Sequence, residues 1–262
     1  MDSLINKDLR LEVLDMICRS SEGHIPSAFS IIDIVEYVYT NVLRNKNLNF
    51  NDSNRDYFIL SKGHGAAALY AVLYKHGLLD RDQINSYGLL HSQLGGHPDT
   101  KKLPWVEAST GSLGHGMPIS VGIALGLKIQ GMKNKVISLV GDGECHEGTI
   151  WEAANIAANQ NLSNLVVIVD WNQSAQQLLK KENLELKWAA FGWNVLLADG
   201  HSNQSLEEAF GRIRLFLNNL PTVIIAKTTK GKGSSLIEGH GIWHHKIPTD
   251  SERKIIESQL NE

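Results

Sequence analysis

Cysteine and long apolar runs are the two features that this sequence most clearly has little of. Its two cysteines, Cys18 and Cys145, are too few for a disulfide framework and form no CxxC pair. We expect both thiols to be reduced, and Cys145 to serve packing. No apolar stretch approaches the roughly 18 residues that a membrane span needs. The first residues, MDSLINKDLRLEVLDM, carry charges where a signal peptide has its apolar core. These absences predict a soluble, cytoplasmic protein.

A strong charge of either sign is also missing. The chain has 25 Lys and Arg against 28 Asp and Glu, a formal net charge of -3, and no run of five or six like charges. This balance gives no electrostatic footprint for nucleic acid or for an anionic membrane surface. The apolar fraction of 42% and the charged fraction of 20% are close to globular averages, so a sizeable core is expected. Without a linker, a repeat or a low-complexity segment, residues 1–262 are interpreted as one domain.

The apolar pattern predicts alternating strands and helices. Three- and four-residue spacing predicts helices over residues 4–17, 28–43, 119–130, 147–161, 203–217 and 251–262, with a further helix starting at residue 66. Short apolar runs predict strands over residues 57–60, 135–140, 165–170, 193–201 and 222–228. This order is typical of an α/β fold, a doubly wound, mainly parallel sheet with helices on both faces. Ligands of such sheets lie beyond the carboxyl ends of the strands.

Three glycine-rich turns flank the predicted strands and helices: SKGHG at 61–65, TGSLGHG at 110–116 and GDGECHEG at 141–148. Glycine lets backbone N–H groups come close to a phosphate, and a helix that follows adds a favourable dipole. Each turn alone is equally compatible with an ordinary strand-to-helix connection. Residues 86–110 have no periodicity and predict a long loop, a feature that is usually functional in a compact domain.

Spacing gives these turns a chemical meaning. Asp142 and Asn172 each follow a predicted strand, and the segment between them fits one helix and one strand. Adjacent parallel strands would bring the carboxylate and the amide oxygen together, which suits Mg²⁺ shared with a diphosphate. The chain has no GxxxxGK[ST] phosphate loop, since KGKGSS at 230–235 does not match it. GxGxxG is absent from the first strand-to-helix turn, which leaves a nicotinamide-binding fingerprint unsupported.

The segment GDGECHEGTIWEAANIAANQNLSNLVVIVDWN resembles the thiamine diphosphate motif, a GDG followed after about thirty residues by asparagine. Further segments resemble motifs of transketolases, and in order they are SEGHIPS, SKGHGAAALYAVL, GGHPD, TGSLGHGMPISVGIALGLK and KTTKGKGSSLIEGHGIWHHKIP. Together they cover nearly the whole chain. The sequence is thereby identified as a member of the transketolase family, resembling the diphosphate-binding subunit of a split-gene transketolase.

The resemblance implies a set of site residues. The implied ligands of Mg²⁺ or Ca²⁺ are Asp142, Asn172 and the carbonyl of Ser174. The implied contacts to thiamine diphosphate are His64, Gly111, Leu113, Gly143, Glu147, Asn172 and His244, with Glu147 also reaching across a subunit interface. The implied catalytic residues are His24, His64, His97 and His244, which would surround the reacting carbon. Imidazoles can hydrogen-bond sugar hydroxyls and move protons near neutral pH.

Any one of the eleven histidines is, taken alone, more often structural than catalytic, but four at matched turns reverse that expectation. His115 and His240 lie beside matched positions without matching a family histidine, and both are interpreted as structural. The run HGIWHH at 240–245 could suggest a transition-metal site. That interpretation is disfavoured because no carboxylate or cysteine lies close to it in sequence.

The resemblance also implies a partner. Transketolases need a second domain whose glutamate activates the cofactor, and this chain ends shortly after the first domain. A separate C-terminal subunit, in an α₂β₂ assembly, is therefore expected. One departure concerns the segment after DWN, where NQSAQQLLKKENLELKW is shorter than in the family and lacks its glycine. The donor and acceptor sugars stay open, because the family's phosphate-binding residues lie mostly in the missing half.

The resemblance implies transfer of a two-carbon ketol unit from a ketose phosphate to an aldose. An alternative keeps the cofactor and changes the reaction: an alpha-type subunit of a 2-oxo-acid dehydrogenase, or an acyl-transferring relative acting on an activated sugar. Histidines at 24, 64 and 97 favour sugar chemistry, because a decarboxylase has less need of partners for hydroxyl groups. A non-catalytic regulator with the same fold is a third hypothesis, and intact site residues argue against it.

Overall fold

The computed structural model describes residues 4–44, 51–175, 183–239 and 241–262. The α-helices in these ranges are α1 (Lys7–Ser20), α2 (Ile25–Tyr37), α3 (Ala66–Lys75), α4 (Arg81–Asn85), α5 (Gly116–Ile129), α6 (Gly148–Asn159), α7 (Leu184–Ala190), α8 (Asn203–Ile213) and α9 (Asp250–Asn261). The strands are β1 (Tyr57–Leu60), β2 (Val136–Gly141), β3 (Leu165–Trp171), β4 (Asn194–Asp199) and β5 (Thr222–Lys227).

The five strands form one sheet in the order β1-β2-β3-β5-β4, and every neighbouring pair is parallel. The central strands are almost wholly apolar because helices cover the sheet on both sides. All six residues of β2 are buried, and so are the first six of the seven in β3. Since all strands run in the same direction, their carboxyl ends meet at one edge of the sheet.

Alternating side chains of the strands enter two separate cores. In β3, Val166 and Ile168 pack with α1, α2 and α3, while Val167 and Val169 pack with α5 and α6 on the other face. This division follows from the two-residue period of a strand, which sends successive side chains to opposite faces. The structure thus confirms the predicted α/β class with helices on both faces of a parallel sheet.

Most of the predicted elements are confirmed, with shifts at their ends. All five strands lie within two residues of the predicted bounds. The first helix begins and ends three residues later than predicted. Helix α2 begins three residues earlier than predicted, at Ile25, because Pro26 is favourable in a first helical turn. It ends earlier, and the chain continues as a π-helical turn over Val38–Val42.

Two short helices were not predicted from the sequence. Helix α4 spans five residues and starts with a capping box in which the side chains of Asp80 and Gln83 each accept from the other's backbone N–H. Helix α7 starts with a hydrogen bond from the backbone of Leu186 to the side chain of Asn183. Both helices are too short for a clear apolar period. The loop predicted over residues 86–110 contains no helix or strand, which confirms that prediction.

The carboxyl edge of the sheet collects the polar residues that follow the strands. Ser61 comes directly after β1, Asp142 after β2, Asn172 after β3 and Thr228 after β5. Among the described residues, none of the helices combines the length and the hydropathy needed to cross a membrane. The altered segment after Asn172 falls partly outside the described residues, over positions 176–182, and His240 lies outside them as well.

Candidate active site

A cavity of about 280 Å³ lies at the carboxyl edge of the sheet. Ten of the eleven site residues predicted from the sequence line it: His24, His64, His97, Gly111, Leu113, Asp142, Gly143, Asn172, Ser174 and His244. They come from seven separate segments of the chain. The topology of the parallel sheet brings them together, because most of these segments follow a strand or precede a helix at this edge.

Glu147 is the predicted residue that is not among those lining the cavity. It is exposed and lies beside Gly114 of the TGSLGHG loop. Its predicted contact across a subunit interface is compatible with this exposed position and stays a prediction. His115, interpreted as structural, is also exposed, and its Nδ1 lies 3.0 Å from the carbonyl of Leu113.

Two of the glycine-rich turns pack backbone against backbone. A Cβ placed on Gly63 would lie 2.7 Å from the amide nitrogen of Gly111, and one on Gly116 would lie 2.5 Å from the Cα of Ser61. Backbone atoms cannot move aside as a flexible side chain can. SKGHG and TGSLGHG therefore need glycine for their mutual contact. This contact brings His64 and Gly111 to the same cavity.

Gly143, in the third glycine-rich turn, has a different environment. A Cβ placed there would have no atom within 4 Å, and its φ is not in the left-handed region. The fold therefore does not require glycine at this position. A glycine that the fold does not need, at the wall of a cavity, is suited to the close approach of a ligand to its backbone.

Asp142 has one carboxylate oxygen that accepts a hydrogen bond and one that accepts none. Its Oδ1 accepts from the backbone of Gly143 at 2.7 Å. Its Oδ2 is buried and has no hydrogen-bond partner within the described parts of the chain. Burial, with the nearby charge of Asp170, raises the pKa of Asp142, and the backbone amides of Gly143 and Ala175 only partly oppose that rise. A buried carboxylate oxygen in this state needs a cation or a proton.

A buried ion pair lies directly behind the cavity. Lys62 donates to Asp170, and both side chains are almost fully buried. Asp170 also accepts hydrogen bonds from the hydroxyls of Ser30 and Thr228 and from the amide of Asn172. Burial by itself would raise the pKa of Asp170, but Lys62 and these donors outweigh it and lower that pKa. We refer to Lys62, Asp170, Ser30, Thr228 and Asn172 as the polar network.

The polar network fixes the orientation of the Asn172 amide. Its Nδ2 donates to Asp170 at 2.8 Å and to Ser30 at 3.2 Å, so the opposite atom is the carbonyl Oδ1. That oxygen accepts from the backbone of Ser174 at 3.0 Å and keeps a second lone pair. The amide oxygen of Asn172 is thereby available as a ligand, as the sequence predicted.

Glu144 links the glycine-rich turns to one another. Its carboxylate accepts from the hydroxyl of Ser61 and from the backbones of Gly114 and Gly141, at 2.9 and 3.1 Å for the two backbone donors. Burial raises the pKa of this carboxyl group. The sequence interpretation did not single out Glu144, although its place in GDGE was a usable signal.

Three imidazole rings lie together on the opposite side of the cavity. Ring centroids are 5.1 Å apart for His24 and His244, 5.4 Å for His24 and His64, and 6.1 Å for His64 and His244. The fourth predicted histidine, His97, lines the same cavity. We refer to these four residues as the imidazole group. The structure therefore brings together the histidines that were predicted from four distant motifs.

Desolvation keeps three of these imidazoles neutral. Burial lowers the pKa of His64 to about 2, with a further contribution from the charge of Lys62. Partial burial lowers the pKa of His244 to about 4, together with the charge of Lys230, and it also lowers that of His24. Neutral imidazoles can accept one hydrogen bond and donate another, so the imidazole group can both bind hydroxyls and transfer protons near neutral pH.

Three further polar residues were not predicted from the sequence. Lys62 and Lys230 line the cavity, and Asp170 lies behind it. Lys62 sits inside SKGHG and Lys230 inside KTTKGKG, so both motifs held a signal. Asp170 had a weaker one, a lone carboxylate at the end of an apolar strand. Among the described residues, no group of three or more His, Cys, Asp or Glu is arranged to hold a metal.

Comparison with known proteins gives a family. The model described as "Transketolase, thiamine diphosphate binding domain" matches residues 1–259. One of the two subunits of an apulose-4-phosphate transketolase from Actinobacillus succinogenes is 39% identical over 245 residues, covering 92% of this chain and 88% of that protein. The 6-deoxy-6-sulfo-D-fructose transketolase subunit SqwG from Clostridium sp. is 32% identical over 257 residues, covering 96% of this chain and 93% of that protein.

The fold is shared with solved transketolases. The structure of transketolase from Leishmania mexicana superposes with a TM-score of 0.85 at 26% identity, covering 98% of this chain and 40% of that chain. This chain thus spans well under half of the length of that transketolase. With the matched domain, the two relatives and the cavity taken together, the chain belongs to the transketolase family, of which it has the thiamine diphosphate-binding domain.

Proposed function

We propose that the cavity binds the diphosphate of thiamine diphosphate through a divalent cation, Mg²⁺ or Ca²⁺. The ligands from the protein are one carboxylate oxygen of Asp142, the amide oxygen of Asn172 and the backbone carbonyl of Ser174. All three residues line the cavity. Oxygen ligands of this kind, completed by phosphate and water, are those that hard divalent cations prefer.

The observation that carries this proposal is the buried, unpartnered Oδ2 of Asp142. Leaving such an oxygen without a donor or a cation costs about 1–3 kcal/mol or more. A bound cation removes that cost and offsets the repulsion between Asp142 and Asp170. The neighbouring Gly143 supports the same interpretation, since its open surroundings leave room for a phosphate beside the backbone.

The other cavity residues have roles that follow from their chemistry. Lys230 brings a buried amino group to the cavity wall, which suits it to the negative charge of a diphosphate. Gly111 and Leu113 line the path of the cofactor. The four residues of the imidazole group are placed to hold the hydroxyls of a sugar and to move protons during the reaction. When it is bound, thiamine diphosphate supplies the carbon nucleophile that attacks a ketose carbonyl.

We further propose that the chain acts as the N-terminal subunit of a split transketolase. Its partner is a separate protein that carries the activating glutamate, and the two form an α₂β₂ assembly. Together they transfer a two-carbon ketol unit from a ketose phosphate to an aldose. Support comes from two relatives that are themselves named as transketolase subunits and that this chain covers over 88% and 93% of their length.

The alternative reactions are less well supported. An alpha-type subunit of a 2-oxo-acid dehydrogenase is not favoured, because the matched family and the similar proteins are transketolases. A regulator without catalysis would have no physical reason to keep a buried carboxylate oxygen unpartnered in a cavity. The imidazole group also favours a substrate rich in hydroxyl groups.

Reconstitution tests the proposed reaction. The chain is co-expressed with the product of the adjacent gene, and the complex is supplied with thiamine diphosphate, Mg²⁺, a ketose phosphate and a set of aldose acceptors. We expect a product longer than the acceptor by two carbons, formed by the complex and by neither protein on its own. Ketol transfer by this chain without its partner would refute the need for one, and transfer that survives removal of the divalent cation would refute the metal site.

A further inference from the structure

Two hydrogen bonds connect residues of the imidazole group to partners of fixed chemical character. Nδ1 of His24 lies 2.8 Å from the backbone carbonyl oxygen of His244. Nδ1 of His244 lies 2.9 Å from Nζ of Lys230. A carbonyl oxygen can only accept a hydrogen bond, and an ammonium group can only donate one. Each contact therefore determines which ring nitrogen carries the proton.

For His24 the proton must be on Nδ1, because the carbonyl opposite that nitrogen cannot donate. A neutral imidazole has one protonated nitrogen and one that accepts, so Nε2 of His24 is the acceptor. The ring is neutral near pH 7, since burial lowers its pKa below the ordinary 6.5. His24 therefore offers a lone pair and no proton at Nε2.

For His244 the assignment is the reverse. Lys230 donates to Nδ1, which must then be unprotonated, and the proton of the neutral ring is on Nε2. Burial lowers the pKa of Lys230, and the carboxylates of Asp142 and Asp170 oppose that effect and favour the ammonium form. His244 therefore offers a proton at Nε2, at a ring centroid distance of 5.1 Å from His24.

We propose that Lys230 is a positioning residue that holds His244 as a hydrogen-bond donor, while the carbonyl of His244 holds His24 as an acceptor. The two neighbouring rings then have opposite character toward the cavity that both of them line. This pair matches a ligand that carries a hydroxyl next to a carbonyl or phosphate oxygen. The hydroxyl donates to His24 and the oxygen accepts from His244.

The ligand assignment rests on the proposed ketol transfer, since a hydroxyl beside a carbonyl is the pattern of a ketose donor. The tautomers themselves do not depend on that reaction. They follow from contacts within this chain, and they can be measured without cofactor, substrate or partner. A failure of the proposed function and a failure of this inference are therefore distinguishable.

Nitrogen NMR of the full chain labelled with ¹⁵N-histidine tests the inference at pH 7.5. Long-range ¹H–¹⁵N correlations report whether each ring nitrogen is protonated, and the variants H24N and H244N assign the two sets of signals. We expect a protonated Nδ1 in His24 and a protonated Nε2 in His244. A protonated Nδ1 in His244, or an equal mixture of the two forms, would overturn the inference.

Substitution of Lys230 separates its role from simple packing. In K230M a side chain of similar length remains and the donor is lost, so we expect the Nδ1-protonated form of His244 to appear while His24 keeps its tautomer. K230R retains a donor and should retain the single form. K254M, at an exposed position of α9, is the matched control and should leave both rings unchanged. A single Nε2-protonated His244 in K230M would show that Lys230 does not set the tautomer.

Discussion

The polar network and the imidazole group border the same cavity, but the fold holds them in different ways. Asp170 accepts from four side chains and is fully buried, whereas His64, in the imidazole group, is held by packing and by ring contacts. The polar network pins an asparagine amide and a lysine at the sheet edge. One half of the site is therefore part of the folded framework, while the other half is assembled on its surface.

Asp142 lies next to the polar network and belongs to neither pattern. It shares the burial of Asp170 but keeps one oxygen without a partner among the described residues. The comparison therefore predicts that substitutions in the polar network reduce stability, and that a change at Asp142 reduces ligand binding instead. The expected loss in the free energy of unfolding falls from Asp170, through Gly63 and His64, to Asp142.

The largest effect is expected from D170A. Removing the carboxylate leaves the ammonium of Lys62 buried without a counter-charge, which costs about 3–5 kcal/mol. Urea denaturation of the full chain measures the loss. The double variant K62M/D170L, which removes both charges, should recover most of the stability, and E208Q on the exposed face of α8 should change it little. If D170A and E208Q behave alike, the polar network does not stabilise the fold.

The next effect concerns the two kinds of cavity glycine. G63A places a methyl group against the backbone of Gly111, so we expect a loss of about 1–3 kcal/mol in urea denaturation. G143A and the helical control G211A meet no atom within 4 Å and should leave the stability unchanged or slightly raised. Equal losses in G63A and G143A would contradict the assigned packing.

His64 links the imidazole group to pH. Its pKa is about 2 in the folded chain, below the ordinary 6.5, so the unfolded chain binds one more proton at intermediate pH. Stability therefore falls as the pH drops below 6.5. The H64Q variant should lose up to about 1.4 kcal/mol per pH unit of this slope between about pH 6 and pH 4. The exposed His91 gives the control H91Q, which should keep the slope of the unmodified chain. An unchanged slope in H64Q would mean that this imidazole is not desolvated.

The smallest change in stability is expected from D142N. The raised pKa of Asp142 means that its charge opposes folding at neutral pH, so removing that charge should leave the free energy of unfolding unchanged or raise it by up to about 1 kcal/mol. Urea denaturation at pH 7 checks the sign. A loss as large as that of D170A would place Asp142 in the framework instead of the ligand site.

The strands and the cavity could be predicted from the sequence because both depend on local patterns. Apolar runs predicted the sheet, and turns at the strand ends predicted Asp142, Asn172 and the imidazole group. The Lys62–Asp170 pair joins residues 108 positions apart, and its pairing depends on how the strands lie side by side. Helix α7 depends on an asparagine cap and is too short for a recognisable period.

The tautomers of His24 and His244 lie further from the reach of sequence reasoning. They depend on one carbonyl and one ammonium group, which the fold places 2.8 and 2.9 Å from ring nitrogens. Glu147 shows the reverse case, since the resemblance assigned it a contact and the structure places it outside the cavity. Its role depends on a partner surface and is testable only in the assembly.

Calorimetric titration of thiamine diphosphate into the complex with the partner protein tests the central claim most directly. Unmodified complex, complex with D142N, and unmodified complex in the presence of a divalent-cation chelator are compared under the same conditions. We predict binding by the unmodified complex with Mg²⁺, and no heat of binding from D142N or in the chelator. Equal affinity of D142N and the unmodified complex would contradict the claim that the cavity holds the diphosphate through a cation on Asp142.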